Sequence, residues 1–404
     1  MIRILRGDCR EVLRTLGDAS VQCVVTSPPY FGLRDYKASG QIGLEASPSE
    51  YVVALREVFW EVRRVLREDG TVWLNLGDSY ACDAGKGQHK PGDPGKHNYI
   101  IERGNGRAAG GMALGGVIKE KDLLMIPARV ALALQADGWW LRSDIIWHKP
   151  NPMPESVTDR PTAAHEHVFL LTKAARYFYD GDAVREGYNE ASVGRYNYAM
   201  MGTGPASRQP GGDMKRAARE KYQRGPNPAG RNLRNVWTIT TRSFTDAHFA
   251  TFPPDLADRC IKAGTSERGA CPTCGAPWVR IVTKGAPDEA HKAACGADAL
   301  GCYNGRSTKD HAAAGVQDAS AVKARILAGM RERISEWHQS CACSPAHPVP
   351  CVVLDPFYGA GTTGLVADRL GRDCIGIELN PDYTVMAANR LTRDAGLFAE
   401  VAHE

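Results

Sequence analysis

The sequence predicts an α/β protein built on an open, doubly wound, mostly parallel sheet. Three observations predict it. Short apolar runs rich in β-branched residues, such as 21–25 and 352–354, recur along the 404-residue chain and read as buried parallel strands. Segments of helical period alternate with them, as in 48–66, where Tyr51, Leu55, Val58, Phe59, Val62 and Leu66 share one face. In residues 351–364, CVVLDPFYGAGTTG, a strand passes through a glycine turn directly into a helix. That is the βα unit of such a sheet, which holds its ligand at the carboxyl end of the strand.

Taken in order, residues 1–5 alternate as a short strand and 9–16 are helical. The strand at 21–25 runs into Thr26-Ser27-Pro28-Pro29-Tyr30. Paired prolines cannot continue a strand and force a rigid, extended turn, which holds Tyr30 beside the Ser27 hydroxyl. The glycine- and base-rich loop 31–43 is expected to lie over a site. The helix over 48–66 has Ser49 as its expected cap. Asp69-Gly70 then turns the chain into a strand at 71–76. Residues 81–120 lack periodicity and are dense in glycine, lysine and histidine, the pattern of a mobile loop. A helix is expected over 123–137, with Pro127 near its start, and strands at 139–147 and 165–172. His148-Lys149-Pro150-Asn151-Pro152 breaks the first of these strands. The last strand, 374–377, follows the glycine turn and ends in Glu378, about the spacing at which a dinucleotide fold places its ribose-binding acid. No lysine follows the glycines, which disfavours a P-loop.

Two stretches stand apart in composition. In 183–235 the bases, from Arg185 to Arg234, outnumber the acids Glu186, Glu190, Asp213 and Glu220, with Tyr188, Tyr196, Tyr198 and Tyr222 interleaved. Such loops suit contacts to phosphates and bases; the plain alternative is a solvated linker. The stretch 266–350 opens on Cys271-Pro-Thr-Cys274-Gly and closes on Cys341-Ala-Cys343. Two close-spaced pairs can place four thiolates tetrahedrally around zinc, with His338, His347, Cys295 and Cys302 as rival ligands. A helix over 321–337 is expected to bring the half-sites together. The chain on either side is expected to fold without the metal.

Formal net charge is +4, only mildly basic, so any nucleic-acid surface must be local. No apolar run is long enough to span a membrane and no secretory signal is visible, so the expected location is cytoplasmic, without a membrane partner. In that compartment the twelve unevenly spaced cysteines read as metal ligands or buried thiols rather than disulfides.

Together, TSPPY followed by DPFYGAGTT resembles the DNA amino-methyltransferases that use S-adenosylmethionine, and the catalytic motif preceding the cofactor motif looks like the β-class order. Gly7-Asp8 with 9–13 resembles the family's short acidic motif. Residues 250–264, ATFPPDLADRCIKAG, resemble its helix against the methionine part of the cofactor. The resemblance covers most of the chain and departs in 80–120 and 266–350. It implies a Rossmann-like methyltransferase fold divided as follows: a catalytic half at 1–182, a target-recognition region at 183–235 and a cofactor-contacting helix at 236–265. A cysteine-rich module at 266–350 and a cofactor-binding half at 351–404 complete it.

The resemblance also implies roles. Ser27, Pro28, Pro29 and Tyr30 are the catalytic turn. Gly359 and Gly361 admit the cofactor to the backbone, Asp355 lies near its methionine amine, and Glu378 holds its ribose. Thr26, Pro356, Phe357, Thr362, Thr363 and Asn380 belong to the same cofactor site, with Asp8, Thr251 and Phe252 as further candidates. The partner is double-stranded DNA, and the resemblance leaves room for a homodimer and a cognate restriction nuclease.

The exocyclic amine of cytosine or adenine is a poor nucleophile because its lone pair is delocalised into the ring. Ser27 and the Pro28 carbonyl, as acceptors, would favour a pyramidal nitrogen aimed at the sulfonium methyl, with Tyr30 stacked on a flipped base. Within the resemblance, serine at the first position of the tetrapeptide leans towards cytosine N4 and away from adenine N6. A silent DNA-binding protein of the same fold is a further reading, and methylation of RNA or of protein glutamine another. A cytosine-C5 mechanism would need a nucleophilic cysteine, but Cys351, after Pro350, reads as core packing.

Overall fold

The computed structural model describes residues 1–36, 38–83, 98–101, 118–119, 121–188, 230–241, 252–283, 333–395 and 401–403. The chain divides into two compact units, one of Met1–Asp180, Arg234–Trp278 and Gln339–Glu404, the other of Gly181–Leu233 and Val279–His338.

The first unit is built on a nine-stranded sheet. Its strands are β1 (Ile2–Arg6), β2 (Val21–Thr26), β3 (Leu66–Leu76), β6 (Trp140–His148), β7 (His165–Thr172), β8 (Val236–Thr238), β11 (Val352–Asp355), β12 (Asp373–Glu378) and β13 (Val401–His403). The order across the sheet is β13-β1-β12-β11-β2-β3-β7-β6-β8. Only β7 runs against its neighbours β3 and β6; every other pair is parallel. The doubly wound, mostly parallel sheet expected from the sequence is therefore what the chain forms. Chain order reverses between β2 and β11, which lie side by side, and their carboxyl ends form the crevice where such sheets bind ligands.

Helices α1 (Cys9–Thr15), α2 (Pro48–Val65), α3 (Ile126–Ala136), α4 (Pro254–Gly264), α5 (Thr362–Arg369) and α6 (Pro381–Ala395) accompany the sheet. The apolar face read from the sequence is the buried one in α2: Tyr51, Leu55, Val58, Phe59 and Val62 are all inaccessible. Its cap, however, is Ser47, whose Oγ accepts from the Glu50 amide at 3.2 Å, and not Ser49. Pro48 sits at the first helical position, where its missing N–H costs nothing, and the cap is two residues upstream of the expected one. Leu66 does not extend the helix but opens β3. The expected turn at Asp69-Gly70 lies inside that strand, where pairing with β2 shifts register between Val21 and Cys23.

Within 81–120, expected to be a loop, Tyr80–Asp83 (β4) and Asn98–Ile101 (β5) form a parallel pair. The helix expected over 321–337 is also corrected: 321–332 lie outside the described residues, and Arg333–Gln339 is a strand, β10, paired with β9 (Trp278–Thr283). In the second unit an antiparallel bridge joins Glu186 to Arg231, whose Nε donates to the Glu186 carboxylate at 3.0 Å. Most of the expected target-recognition region, 189–229, lies outside the described residues. None of the described helices is long and apolar enough to cross a membrane.

Helix α4 packs on α5 and across β2 and β3, and Gly264 sets how closely. A Cβ there would lie 2.5 Å from Thr71 Oγ1 and 2.7 Å from Cys23 Sγ, both fully buried. Gly264→Ala should therefore destabilise the protein by about 1–3 kcal/mol through overpacking, measurable as a shift in the denaturant midpoint at unchanged slope.

Candidate active site

At the carboxyl ends of β1, β2, β3, β11 and β12 the first unit opens into a cleft of about 1680 Å³. On one side it is lined by Ser27, Pro28, Pro29 and Tyr30, on the other by Pro356, Phe357, Gly359, Thr362, Glu378 and Asn380. Asp8 and Phe252 also reach it. Thr251 lies outside the described residues.

The two sides are joined beneath the cleft floor by Asp355. Its Oδ1 accepts from Thr26 Oγ1 at 2.7 Å and from the Phe357 amide at 3.1 Å; its Oδ2 accepts from Thr363 Oγ1 at 2.6 Å. Thr363 Oγ1 also contacts the Val25 carbonyl at 3.3 Å. Asp355 is 1% exposed, and burial raises its pKa to about 6 despite these three donors. Asp355, expected near a methionine amine, lies with Thr26 and Thr363 behind the cleft lining, and their polar groups bond to one another. Gly361 is likewise behind the lining. Gly359 and Gly361 both have positive φ, +51° and +73°, which the turn into α5 requires.

Glu378 closes the side of the glycine turn. One carboxylate oxygen accepts from the Gly359 amide and the other from the Asn380 amide, both at 2.7 Å. Burial raises its pKa. Asn380 in turn accepts from the Asp382 amide at 2.8 Å, at the start of α6, and donates to the Tyr36 carbonyl at 3.3 Å. Asp8 caps α1 by accepting from the Arg10 amide at 2.9 Å and pairs with the Arg10 guanidinium at 2.6 Å.

On the catalytic side, Tyr51 Oη donates to the Pro29 carbonyl at 2.8 Å and pins the double-proline turn to α2. The Tyr30 ring rests against Gly77, where a Cβ would come within 2.6 Å of it. Tyr30 Oη donates to Glu166 Oε2 at 2.5 Å and receives the Ser27 hydroxyl at 3.4 Å. Asn75 Nδ2 lies within reach of Tyr30 Oη (2.8 Å), Glu166 Oε2 (2.9 Å) and Ser27 Oγ (3.3 Å). Lys149 Nζ donates to the other Glu166 oxygen. Burial opposes ionisation of Glu166, but Lys149, Tyr30 and Asn75 outweigh it and hold the carboxyl below the usual range. Burial, with Glu166 beside it, raises the Tyr30 pKa well above that of an ordinary phenol.

Asn75, Lys149 and Glu166 were not singled out from the sequence. In the sequence Lys149 stands in a strand break and Asn75 within the strand TVWLNL. An acid at the head of an otherwise apolar strand, His165-Glu166-His167-Val-Phe-Leu-Leu, was the available signal for Glu166. What brings it to Tyr30 is antiparallel pairing, which sets the start of β7 against the end of β3.

The four cysteines singled out in the insertion do come together. Their sulfurs all lie within 4.8 Å of one another, and all four are free thiols. His338 and His347 are exposed and outside this group, while Cys295 and Cys302 lie outside the described residues.

A model of the DNA methylases matches residues 21–271 and 351–389. The chain belongs to this family. It is 34% identical over 388 residues to the Type II methyltransferase M.Cfr9I of Citrobacter freundii, spanning 96% of this chain and 87% of that protein. To the Type II methyltransferase M.SmaI of Serratia marcescens it is 33% identical over 391 residues, 97% and 91% of the two chains. Among solved structures, the PvuII DNA methyltransferase (cytosine-N4-specific) aligns over 96% of this chain and 85% of that one, at 16% identity and a TM-score of 0.48. The family assignment rests on the sequence matches. The protein is an S-adenosylmethionine-dependent DNA methyltransferase of the N4/N6 amino group. The family match skips 272–350, and with it Cys274, Cys341 and Cys343, while Cys271 is the last residue of its first segment.

The raised pKa of Asp355 carries a sign. A carboxyl that is harder to ionise when folded binds its proton more tightly in the folded state, so its contribution to stability falls as pH rises from the ordinary 3.8 to about 6. Wild-type stability measured against Asp355→Asn should decline across that window and level off above it. Equilibrium unfolding of both proteins across the window checks this; a flat difference would show that Asp355 ionises like an exposed carboxyl.

Proposed function

We propose that this methyltransferase acts on the exocyclic amine of a base swung out of double-stranded DNA, cytosine N4 ahead of adenine N6. The observation that carries the reading is the convergence on one cleft of the Ser27–Tyr30 turn and the Glu378-braced glycine turn. Bound S-adenosylmethionine would supply an electrophilic methyl, the nitrogen–carbon bond forming as the sulfur–carbon bond breaks, with sulfur keeping the electron pair and the amine's surplus proton leaving to solvent.

The chain's own part is to hold and orient. The Glu378 carboxylate, fixed by two amides, still has lone pairs for ribose hydroxyls. Gly359, Phe357, Thr362, Asn380, Asp8 and Phe252 contribute the walls. The Asp355 brace sets the spacing between this wall and the catalytic turn.

On the other wall, the ionised Glu166 orders a directional chain. It accepts a hydrogen bond from the Tyr30 hydroxyl, so the Tyr30 oxygen is turned to accept one from Ser27 Oγ. Ser27 Oγ is thereby left as an acceptor for an N–H of the target amine, beside the Pro28 carbonyl. Two acceptors on one amine favour a pyramidal nitrogen with its lone pair on the methyl. The Tyr30 ring, backed by Gly77, offers a stacking surface to the base.

Ser27 at the head of the tetrapeptide supports cytosine N4. The base-rich composition of 183–235 supports DNA contacts there. The Type II designation of both relatives supports a cognate nuclease, and hence action in the cytoplasm on host DNA.

Methylation-aware sequencing of DNA from cells expressing the chain should show N4-methylcytosine at one fixed motif. N6-methyladenine would reassign the base, and unmodified DNA would overturn the transfer itself. Ser27→Ala, Tyr30→Ala and Glu166→Gln should each lower kcat by about tenfold to a hundredfold or more, with KM for S-adenosylmethionine within a few-fold, because they misorient the amine without touching the donor. Tyr30→Phe keeps the ring but breaks the proton chain and should fall between wild type and Tyr30→Ala. Wild-type turnover in Tyr30→Phe would refute the orienting chain and leave only stacking.

A further inference from the structure

We infer that Cys271, Cys274, Cys341 and Cys343 bind one zinc ion as a closed tetrathiolate, and that this knuckle clasps the amino-terminal ends of β2, β3 and β11, opposite the cleft. A zinc–sulfur bond of about 2.3 Å in tetrahedral geometry sets sulfurs about 3.8 Å apart. The four sulfurs here lie within 4.8 Å of one another, so small side-chain adjustments complete the site. Four protein thiolates leave no position for water, which makes the site structural.

The surroundings are built for thiolates. The Cys271–Gly275 turn is closed by the Gly275 amide donating to the Cys271 carbonyl at 2.8 Å. Gln339 Nε2 donates to Cys341 Sγ at 3.0 Å and to the Cys343 carbonyl at 3.0 Å, with Cys271 Sγ at 3.7 Å. An amide N–H aimed at sulfur is the kind of outer contact that orients a metal ligand. Ser340 Oγ donates to the Pro277 carbonyl at 2.6 Å, and Ala270 pairs with Val349 through two backbone hydrogen bonds of 2.7 and 2.9 Å. The two half-sites are thus held together by contacts that do not involve sulfur.

The same turn is fastened to the sheet. Gln22, the second residue of β2, donates through Nε2 to the Gly275 carbonyl at 3.1 Å and accepts through Oε1 from the Val352 amide, the start of β11, at 2.7 Å. Arg67, the second residue of β3, donates to the Cys274 carbonyl and pairs with Asp69 at 2.9 Å. Gly275 leaves room for both: a Cβ there would sit 3.0 Å from Gln22 Nε2 and 3.1 Å from Arg67 Nη1. The strands so tied are those whose opposite ends carry Thr26, the Asp355 brace and Asn75. This differs from the expectation that the methylase core is indifferent to the metal.

The test uses the full chain, purified without chelator, and needs no methyl transfer. Elemental analysis should find one zinc per chain; no metal, iron in place of zinc, or disulfides between these cysteines would overturn the site. Cys271→Ser and Cys343→Ser should each lose most of the zinc, and full metal content in Cys343→Ser would overturn the tetrathiolate. If either variant fails to fold, the wild-type metal count and thiol titration decide the same question. On chelation, amide exchange at 21–24, 66–71 and 351–354 should speed up by about tenfold or more, alongside 269–278. Gln22→Ala should keep its zinc yet speed exchange at 351–354. Unchanged exchange in those strands after zinc loss would overturn the clasp while leaving the site standing.

Discussion

A single buried carboxylate holds the two halves of this active site in register. Asp355 ends β11, and its oxygens take up the hydroxyls of Thr26, at the end of β2, and Thr363, in the first turn of α5. Those two threonines lead into Ser27-Pro28-Pro29-Tyr30 and follow Gly359 and Gly361. Burial makes the carboxylate hard to ionise, and three donors converge on it in compensation. Asp355 thereby makes the distance between the Ser27–Tyr30 turn and the glycine turn a property of the sheet.

The second buried charge works differently. Glu166 faces Lys149 on one oxygen and Tyr30 and Asn75 on the other, all in the wall of the cleft. A buried ion pair is weak grounds for stability, because desolvation offsets most of its attraction. Here its consequence is directional: an ionised acceptor beneath Tyr30 decides which way two hydroxyl protons point. Asp355 ties the two turns together through Thr26 and Thr363, and Glu166 orients the hydroxyls of Tyr30 and Ser27.

Much of the fold was legible because its signals are local. A double proline stiffens a turn wherever it occurs, and a glycine turn between an apolar strand and a helix has few alternative readings. Helix α2 announced its buried face through period alone. The misreadings have physical causes as well. Ser49 was passed over by the chain because Pro48 takes the first helical position and Ser47 precedes it. Asp69-Gly70 resembles a turn, but pairing with β2 keeps it in an irregular stretch of strand. Arg333–Gln339 follows a run of helix formers, yet its partner β9 makes it a strand, tertiary pairing overriding propensity.

By itself the sequence determined the kind of sheet, the two turns that face the cleft, the buried acid-ended strands and the two cysteine pairs, since each depends on residues within about one turn or strand of one another. Only the tertiary structure decided which groups those elements meet. Asp355 became a brace because β2 lies beside β11, although the two strands are more than three hundred residues apart in the chain. Glu166 reached Tyr30 because β7 runs antiparallel to β3, and Gln22 reached the cysteine knuckle because the insertion leaves and rejoins the sheet at its far end. Partners set by long-range pairing carry no periodic or local mark in the sequence, so their chemistry could be read only once the sheet was assembled.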